Sequence, residues 1–334
     1  MVTWASALAW RLRRHFLAGP TASSVEEVVG RLVAVPAWSG DAAAAIGLRL
    51  GEGSRAPDAL AAALAEGRLI STYGFRGSST LMTPATAAVH LPLRCAGRQW
   101  ERASWRSHYG LEPEDWPRLR ATVRDALSDG PLTQAELAEA VMRDPAYAHL
   151  QEAFTHRSHT FLKPFGWHGD LRLDTSGDAF RLRSMADVPG WTGSVPLDEA
   201  GPRAVLAYLA AYGPAGRDRV HYWLGEGLSA GRRRIDGWVD GLGDALTTLD
   251  VEGEEALCRA EDADDVAATP GSDAVVLLPG TDQWVFGAGT ADAVVVPPEH
   301  RVVATRGAAL ALRGGRVAGT WTTGSDGPRV TWFD

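Results

Sequence analysis

The chain has 334 residues, two to three times the usual domain size, so more than one core is expected. With 45% hydrophobic and 22% charged residues it reads as a globular protein, which excludes disordered and collagen-like classes. The 33 basic and 41 acidic side chains leave a net charge of −8, a sign that argues against a protein gripping phosphates over its whole surface.

The charge is uneven: residues 1–120 carry +4, residues 121–200 carry −5 and residues 201–334 carry −7, so a polyanion would be met by the N-terminal third. Lys163 is the only lysine, and the remaining cations are arginines suited to planar, stacking contacts. No run approaches the roughly 18 apolar residues of a membrane helix. The basic run Arg11, Arg13, Arg14 follows the apolar residues of the N-terminal segment, whereas a secretory signal puts its charge first, so a cytoplasmic location without membrane contact is expected. Cys95 and Cys258 have no ligand spacing, and neither a disulfide framework nor a cysteine zinc site is indicated.

In chain order, residues 25–35, 42–50 and 57–66 read as helices, followed by strands at 69–75 and 80–82 about a turn at Gly77. A second copy begins at Asp129-Gly130-Pro131-Leu132. Thr133 and Glu136 there form a capping box that satisfies the first free amides of a helix. Its hairpin is 171–173 and 180–183 across Thr175-Ser176-Gly177-Asp178. A third copy runs from Arg203 through a helix at 229–242 to strands 246–249 and 256–258, joined at Glu252-Gly253. Three helices closed by a two-stranded ribbon describe a winged helix.

From about Asp264 the helical period disappears. Strands are expected at 274–278, 284–286, 293–296, 308–312, 316–321 and 329–332, with a hairpin turn at Gly314-Gly315. The fold class is therefore α+β: three tandem winged-helix units at 1–110, 111–195 and 196–263, then a β-rich domain at 264–334.

Four motifs in this order resemble the AlkZ-like winged-helix DNA glycosylases. They are Gly130-Pro131-Leu132-Thr133-x-Ala135-Glu136-Leu137, Tyr208-Leu209-x-x-Tyr212-Gly213-Pro214-Ala215, Leu277-Leu278-Pro279-x-x-Asp282 and Gly315-Arg316-Val317-x-Gly319-Thr320-Trp321. Each is short, and their order over nearly the whole chain carries the resemblance. It implies a concave, DNA-embracing body that excises bulky alkylated purines or unhooks crosslinks, in several members as self-resistance beside pathways for DNA-alkylating natural products. It also implies a Gln-x-Gln or Gln-x-Asp triplet that positions the attacking water.

The matching triplet is Pro36-Ala37-Trp38. Proline offers no side-chain hydrogen bond and indole only donates one, so neither can hold water through a carbonyl. The family's Arg-Gly-Thr-x-His segment corresponds to Arg76-Gly77-Ser78-Ser79-Thr80, with threonine in place of histidine.

Arg76, Tyr73 and Asp282 are the catalytic candidates: an anion clamp, a hydrogen-bond donor and a general base. Their plain alternatives are a wing salt bridge, strand packing and a structural partner for an arginine. Contacts to ligand or DNA are expected from Trp38 by stacking, Thr80, His159, His221 and Arg232; core packing, surface histidines and a solvated helix face compete with these. His156-x-x-His159, with His168 beyond, is the only histidine cluster. It could place two imidazoles on one helix face, but nothing completes a metal set, and no metal or cofactor is expected.

Three functions follow. The favoured one, from the lost amides, the acidic surface and the 13 tryptophans, is a scaffold retuned to a small aromatic ligand, as a biosynthetic enzyme or a sequestering resistance protein. The alternatives are a glycosylase acting on damaged duplex DNA and a non-catalytic DNA-binding protein.

Overall fold

The computed structural model describes residues 2–51, 53, 55–175, 180–227 and 229–334. It opens with the helix Trp4–Arg14, capped by the Thr3 hydroxyl, which accepts from Ser6 N at 3.1 Å. Arg11, Arg13 and Arg14 fall in its last turn, where cations complement the helix dipole. Leu8 and Leu12 enter the C-terminal core, while Trp10 packs with Val266 of the helix Ala263–Ala268. The N-terminal segment is thus a strut against the far end of the chain.

The first unit has helices Val25–Arg31, Ala42–Gly47 and Ala56–Ala65. The helix expected to reach residue 35 stops at Arg31: Val33 takes φ +68° and β1 (Val35–Pro36) pairs antiparallel with a later strand. Pro36 bars Val35 from the helical region and suits a short edge strand. The wing is β2 (Ile70–Tyr73) and β3 (Ser79–Met82) about Phe75–Gly77, where Arg76 and Gly77 take φ +54° and +74°.

The helix Pro84–Cys95 crosses from the first unit and packs on the third-unit helix Leu197–Tyr212. In the second unit the capping box is realised. Glu136 N donates to Thr133 Oγ1 at 3.2 Å and Thr133 N to Glu136 Oε2 at 2.7 Å, starting the helix Gln134–Val141. The unit's wing is β4 (Leu171–Asp174) and β5 (Arg181–Ser184) in the register Leu173↔Leu182. Of the expected hairpin turn, Ser176, Gly177 and Asp178 lie outside the described residues. Ser71 of β2 pairs with Leu173 of β4, so the first two wings share one sheet in the order β1-β3-β2-β4-β5.

The third unit continues with helices Arg217–Gly225 and Arg232–Gly241 and the hairpin β6 (Leu246–Val251) and β7 (Glu254–Arg259). Glu252 and Gly253 both have positive φ, as a tight two-residue hairpin requires.

The C-terminal sheet comprises β8 (Val275–Leu278), β9 (Leu310–Arg313), β10 (Arg316–Gly324) and β11 (Gly327–Trp332), in the order β11-β10-β9-β8. Two expected strands are absent: 284–286 falls inside the helix Gln283–Ala288, and 293–296 is a turn. A short apolar run does not separate strand from helix by periodicity, and the cap at Asp282 decides it. The mixed helix-and-sheet class expected from the sequence is present, and the three-helix-and-hairpin order recurs three times. Among the described residues no helix is long and apolar enough to cross a membrane.

One core joins the first wing to the third unit. Phe75 stacks on Trp223 at 4.1 Å between ring centres, and His90 lies against Phe75 at 5.1 Å. His90 is buried, its Nδ1–H donating to Thr86 O at 2.9 Å, and burial holds its pKa down at about 4 against 6.5 in the unfolded chain. Below pH 6.5 the unfolded chain takes a proton that the folded one refuses. This contribution to stability is therefore whole above 6.5, falls by up to about 1.4 kcal/mol per pH unit below it, and levels off near pH 4. Urea unfolding between pH 7 and 4 checks this: His90→Leu is expected to flatten the fall, and an unchanged slope would refute the assignment.

Candidate functional site

The site starts from Arg49, which follows the helix Ala42–Gly47. Its guanidinium donates twice to Asp282, Nη1 to Oδ2 at 2.8 Å and Nη2 to Oδ1 at 2.7 Å, and Nη1 also reaches Ala45 O at 2.6 Å. Both side chains are almost wholly enclosed, at 0% and 1% exposure. Asp282 Oδ1 also accepts from Trp284 N at 2.8 Å and so caps the helix Gln283–Ala288. Asp41, Ser39 and Thr281 add a second tie, with Thr281 Oγ1 donating to Asp41 Oδ2 at 3.0 Å and contacting Ser39 Oγ.

Asp282 thus takes the structural alternative, a partner for an arginine, rather than the general-base role: Arg49 engages both of its oxygens and the pair is shut off from solvent.

The helix it caps supplies one wall of a cleft of about 260 Å³, whose other walls come from β1, the first wing and the helix Arg217–Gly225. Trp38 is 52% exposed at its rim, edge-on to Phe286 at 6.0 Å. Opposite, Arg76 donates to the Tyr222 hydroxyl and, at 3.4 Å, to Phe286 O, with its guanidinium 5.0 Å from the Tyr222 ring centre. This is a tethered cation on an aromatic face. Gly289 leaves room for that ring, because a β-carbon there would meet it at 2.6 Å.

Pro36 and Thr80 are register partners on β1 and β3 and lie side by side in the cleft. Among the described residues, three polar atoms of its lining side chains are buried without a hydrogen bond: Thr80 Oγ1, Trp223 Nε1 and Gln283 Nε2. The Gln283 amide approaches the Tyr212 hydroxyl, which itself donates to Leu32 O at 2.8 Å. Such atoms are stabilised when a polar ligand or water supplies the missing partner.

Of the sequence candidates, Trp38, Arg76 and Thr80 converge here. Tyr73 and His159 form a separate pair, hydroxyl to Nδ1 at 2.9 Å, and burial pushes the phenol well above its usual range. His156 and His159 do not share a helix face: the helix Gln151–Thr155 ends before them and His159 has φ +54°. His168 packs on Trp100 beside Cys95, 3.6 Å from its sulfur. Among the described residues no group of three or more metal-ligating side chains exists.

His221 is committed to Asp236 at 2.8 Å, and Arg232 is exposed on the first turn of the helix Arg232–Gly241; neither lines the cleft. The acidic residues Asp236 and Asp240 are held by Arg217 rather than by Arg232. Sequence reasoning missed Gln283, Phe286, Thr290 and Thr305, for which the available signal was an amide directly after the Asp282 motif; the stretch His221-Tyr222-Trp223 was in view as a helix able to line the cleft, and Tyr222 and Trp223 do so.

The family model described as DNA glycosylase AlkZ-like matches residues 29–332. The chain is 32% identical over 328 residues to the interstrand DNA cross-link repair glycosylase of Streptomyces sahachiroi, covering 96% of this chain and 87% of that one. The solved structure of the Streptomyces sahachiroi DNA glycosylase AlkZ superposes with a TM-score of 0.91 at 32% identity, covering 99% of this chain and 91% of that one.

The anchor is testable by unfolding. Asp282→Asn leaves a buried guanidinium without its counter-charge and is expected to cost about 3–5 kcal/mol in urea unfolding. Adding Arg49→Met should recover part of it. A cost below about 1 kcal/mol would show that the pair is not what holds the cleft wall.

Proposed function

Because the chain belongs to the AlkZ-like DNA glycosylase family, we propose that it acts on damaged duplex DNA, receiving a bulky alkylated or cross-linked base in the Trp38 cleft and excising it. The observation that carries this reading is the pairing of aromatic walls with unsatisfied polar atoms in one small cleft. Trp38 and Phe286 offer faces and edges to a planar base, while Thr80 Oγ1 and Gln283 Nε2 lack partners that a base edge or a water would supply. A base held this way has left the stack, and bases weakened by damage leave it most readily.

The reading of a scaffold retuned to a small aromatic ligand gives way to this one, since the relative matched over nearly the whole chain is named for cross-link repair. The chemistry then needs an account without the amide triplet, for Pro36 and Trp38 stand where the resemblance places its glutamines. Purines alkylated on a ring nitrogen carry positive charge and depart as neutral bases, so bond breaking needs little help from an acid. What remains is to hold water against the sugar carbon. Among the groups lining this cleft that can do so are the hydroxyls of Ser78, Thr80, Thr290 and Thr305 and the amide of Gln283. Among the described residues no carboxylate lines the cleft, so water is oriented here rather than deprotonated.

Incubation with a duplex carrying a bulky N-alkylated purine, followed by alkaline cleavage of abasic sites, tests the reading. The wild-type chain should generate abasic sites. Trp38→Ala should lower the single-turnover rate or affinity by about 5- to 100-fold, the range for losing one base–aromatic stack. Absence of abasic sites, together with tight, salt-insensitive binding of a polycyclic compound, would return the argument to the small-molecule reading.

A further inference from the structure

We infer that Lys163 and His159, set against the first-wing turn at Gly77, form a binding seat for one backbone phosphate of the duplex; this rests on the duplex reading above.

Lys163 begins the short helix Lys163–Trp167 of the second unit, and its half-buried side chain reaches across to the first wing. A β-carbon built on Gly77 would lie 3.7 Å from Lys163 Nζ and 3.7 Å from Arg94 Nη2, an ordinary contact distance that sets both cations against one turn. It is the φ of +74° at Gly77 that favours glycine there.

Among the described residues neither cation meets a carboxylate. Arg94 is spent on neutral carbonyls, Nη1 to Glu226 O and Nη2 to Gly227 O at 2.8 Å each, and lies over the Trp167 ring at 5.0 Å. Lys163 Nζ has no hydrogen bond or ion pair among the described residues, and the charge that bears most on it is that of Arg94. A half-buried ammonium with three unused donors beside a second cation is held at a cost that an anion would remove.

His159 supplies the third group. Among the described residues the Tyr73 hydroxyl has Nδ1 of His159 as its one hydrogen-bond partner; donation from the hydroxyl leaves neither group unsatisfied and puts the ring's proton on Nε2. That N–H has no protein acceptor among the described residues, and His159 lies close enough to Lys163 to feel its charge. An ammonium and a neutral N–H donor match the two free oxygens of a phosphodiester.

The location gives the seat a purpose. Phe75, Arg76 and Ser78 of the same turn line the base cleft. A phosphate fixed over Gly77 would set the DNA backbone in register with the cleft, which is what phosphate contacts do without reading sequence.

The single lysine makes the test direct. Grown with 13C-lysine, the full chain gives one lysine Cε–Hε signal, which can be followed as inorganic phosphate or a short duplex is added. The signal is expected to move saturably with the duplex. Lys163→Gln should weaken duplex binding and make the slope of log K against log salt shallower by about 0.9, while Lys163→Arg keeps the wild-type slope.

An unmoved signal with both ligands overturns the seat, as does a Lys163→Gln slope equal to wild type. A signal that moves with phosphate while the slope stays unchanged overturns its use by DNA. If the wild-type chain binds no duplex at all, the functional reading fails separately, and the phosphate titration alone decides whether the anion seat exists.

Discussion

A single ion pair, Arg49 with Asp282, joins the first unit to the C-terminal domain with almost no access to water. Enclosing two charges is unfavourable unless every donor and acceptor is engaged. Here the bidentate geometry, Ala45 O and the amide of Trp284 largely meet that condition. Because Asp282 is also a helix cap, the same pair that ties two distant parts of the chain orients the helix bearing Gln283 and Phe286.

Around this pair lie other buried polar side chains that reach backbone carbonyls of a different unit. Arg11 donates to Pro214 O, His15 is paired with Ala211 O and Tyr212 donates to Leu32 O. Apolar surfaces alone would let these units slide against one another, whereas directional partners without water to replace them hold one relative placement. The N-terminal helix belongs to this system, with Arg11 and His15 lying between the third unit and Trp284.

The net charge of −8 and a reading that involves DNA are reconciled by location. Arg76, Arg94 and Lys163 gather around one wing, and among the described residues no carboxylate lines the cleft beside it. The acidic residues Asp218, Asp236 and Asp240 lie on the third unit and are paired with Arg219 and Arg217. A local field of one sign is enough for a polyanion to find the site, and the sign of the remaining surface matters less.

Much of the local structure was legible in the residues themselves. Thr133 and Glu136 announce a helix start, Glu252-Gly253 and Gly314-Gly315 announce tight turns, and alternation marks most of the strands, because caps, positive φ and side-chain period act within a few residues. The end of the helix at Arg31 and the helix at Gln283 were not read, although Pro36 and Asp282 were in view. The family motifs located Trp38, Arg76 and Thr80; Tyr222, Gln283 and Phe286 reach the same cleft from 140 to 250 residues further along the chain. Sequence alone marked most of the caps, tight turns and paired strands. Tertiary structure alone decided that Asp282 would be neutralised by Arg49 and that Lys163 would stand unpaired beside Arg94, because the state of a charge depends on what folding brings beside it and how much water folding removes.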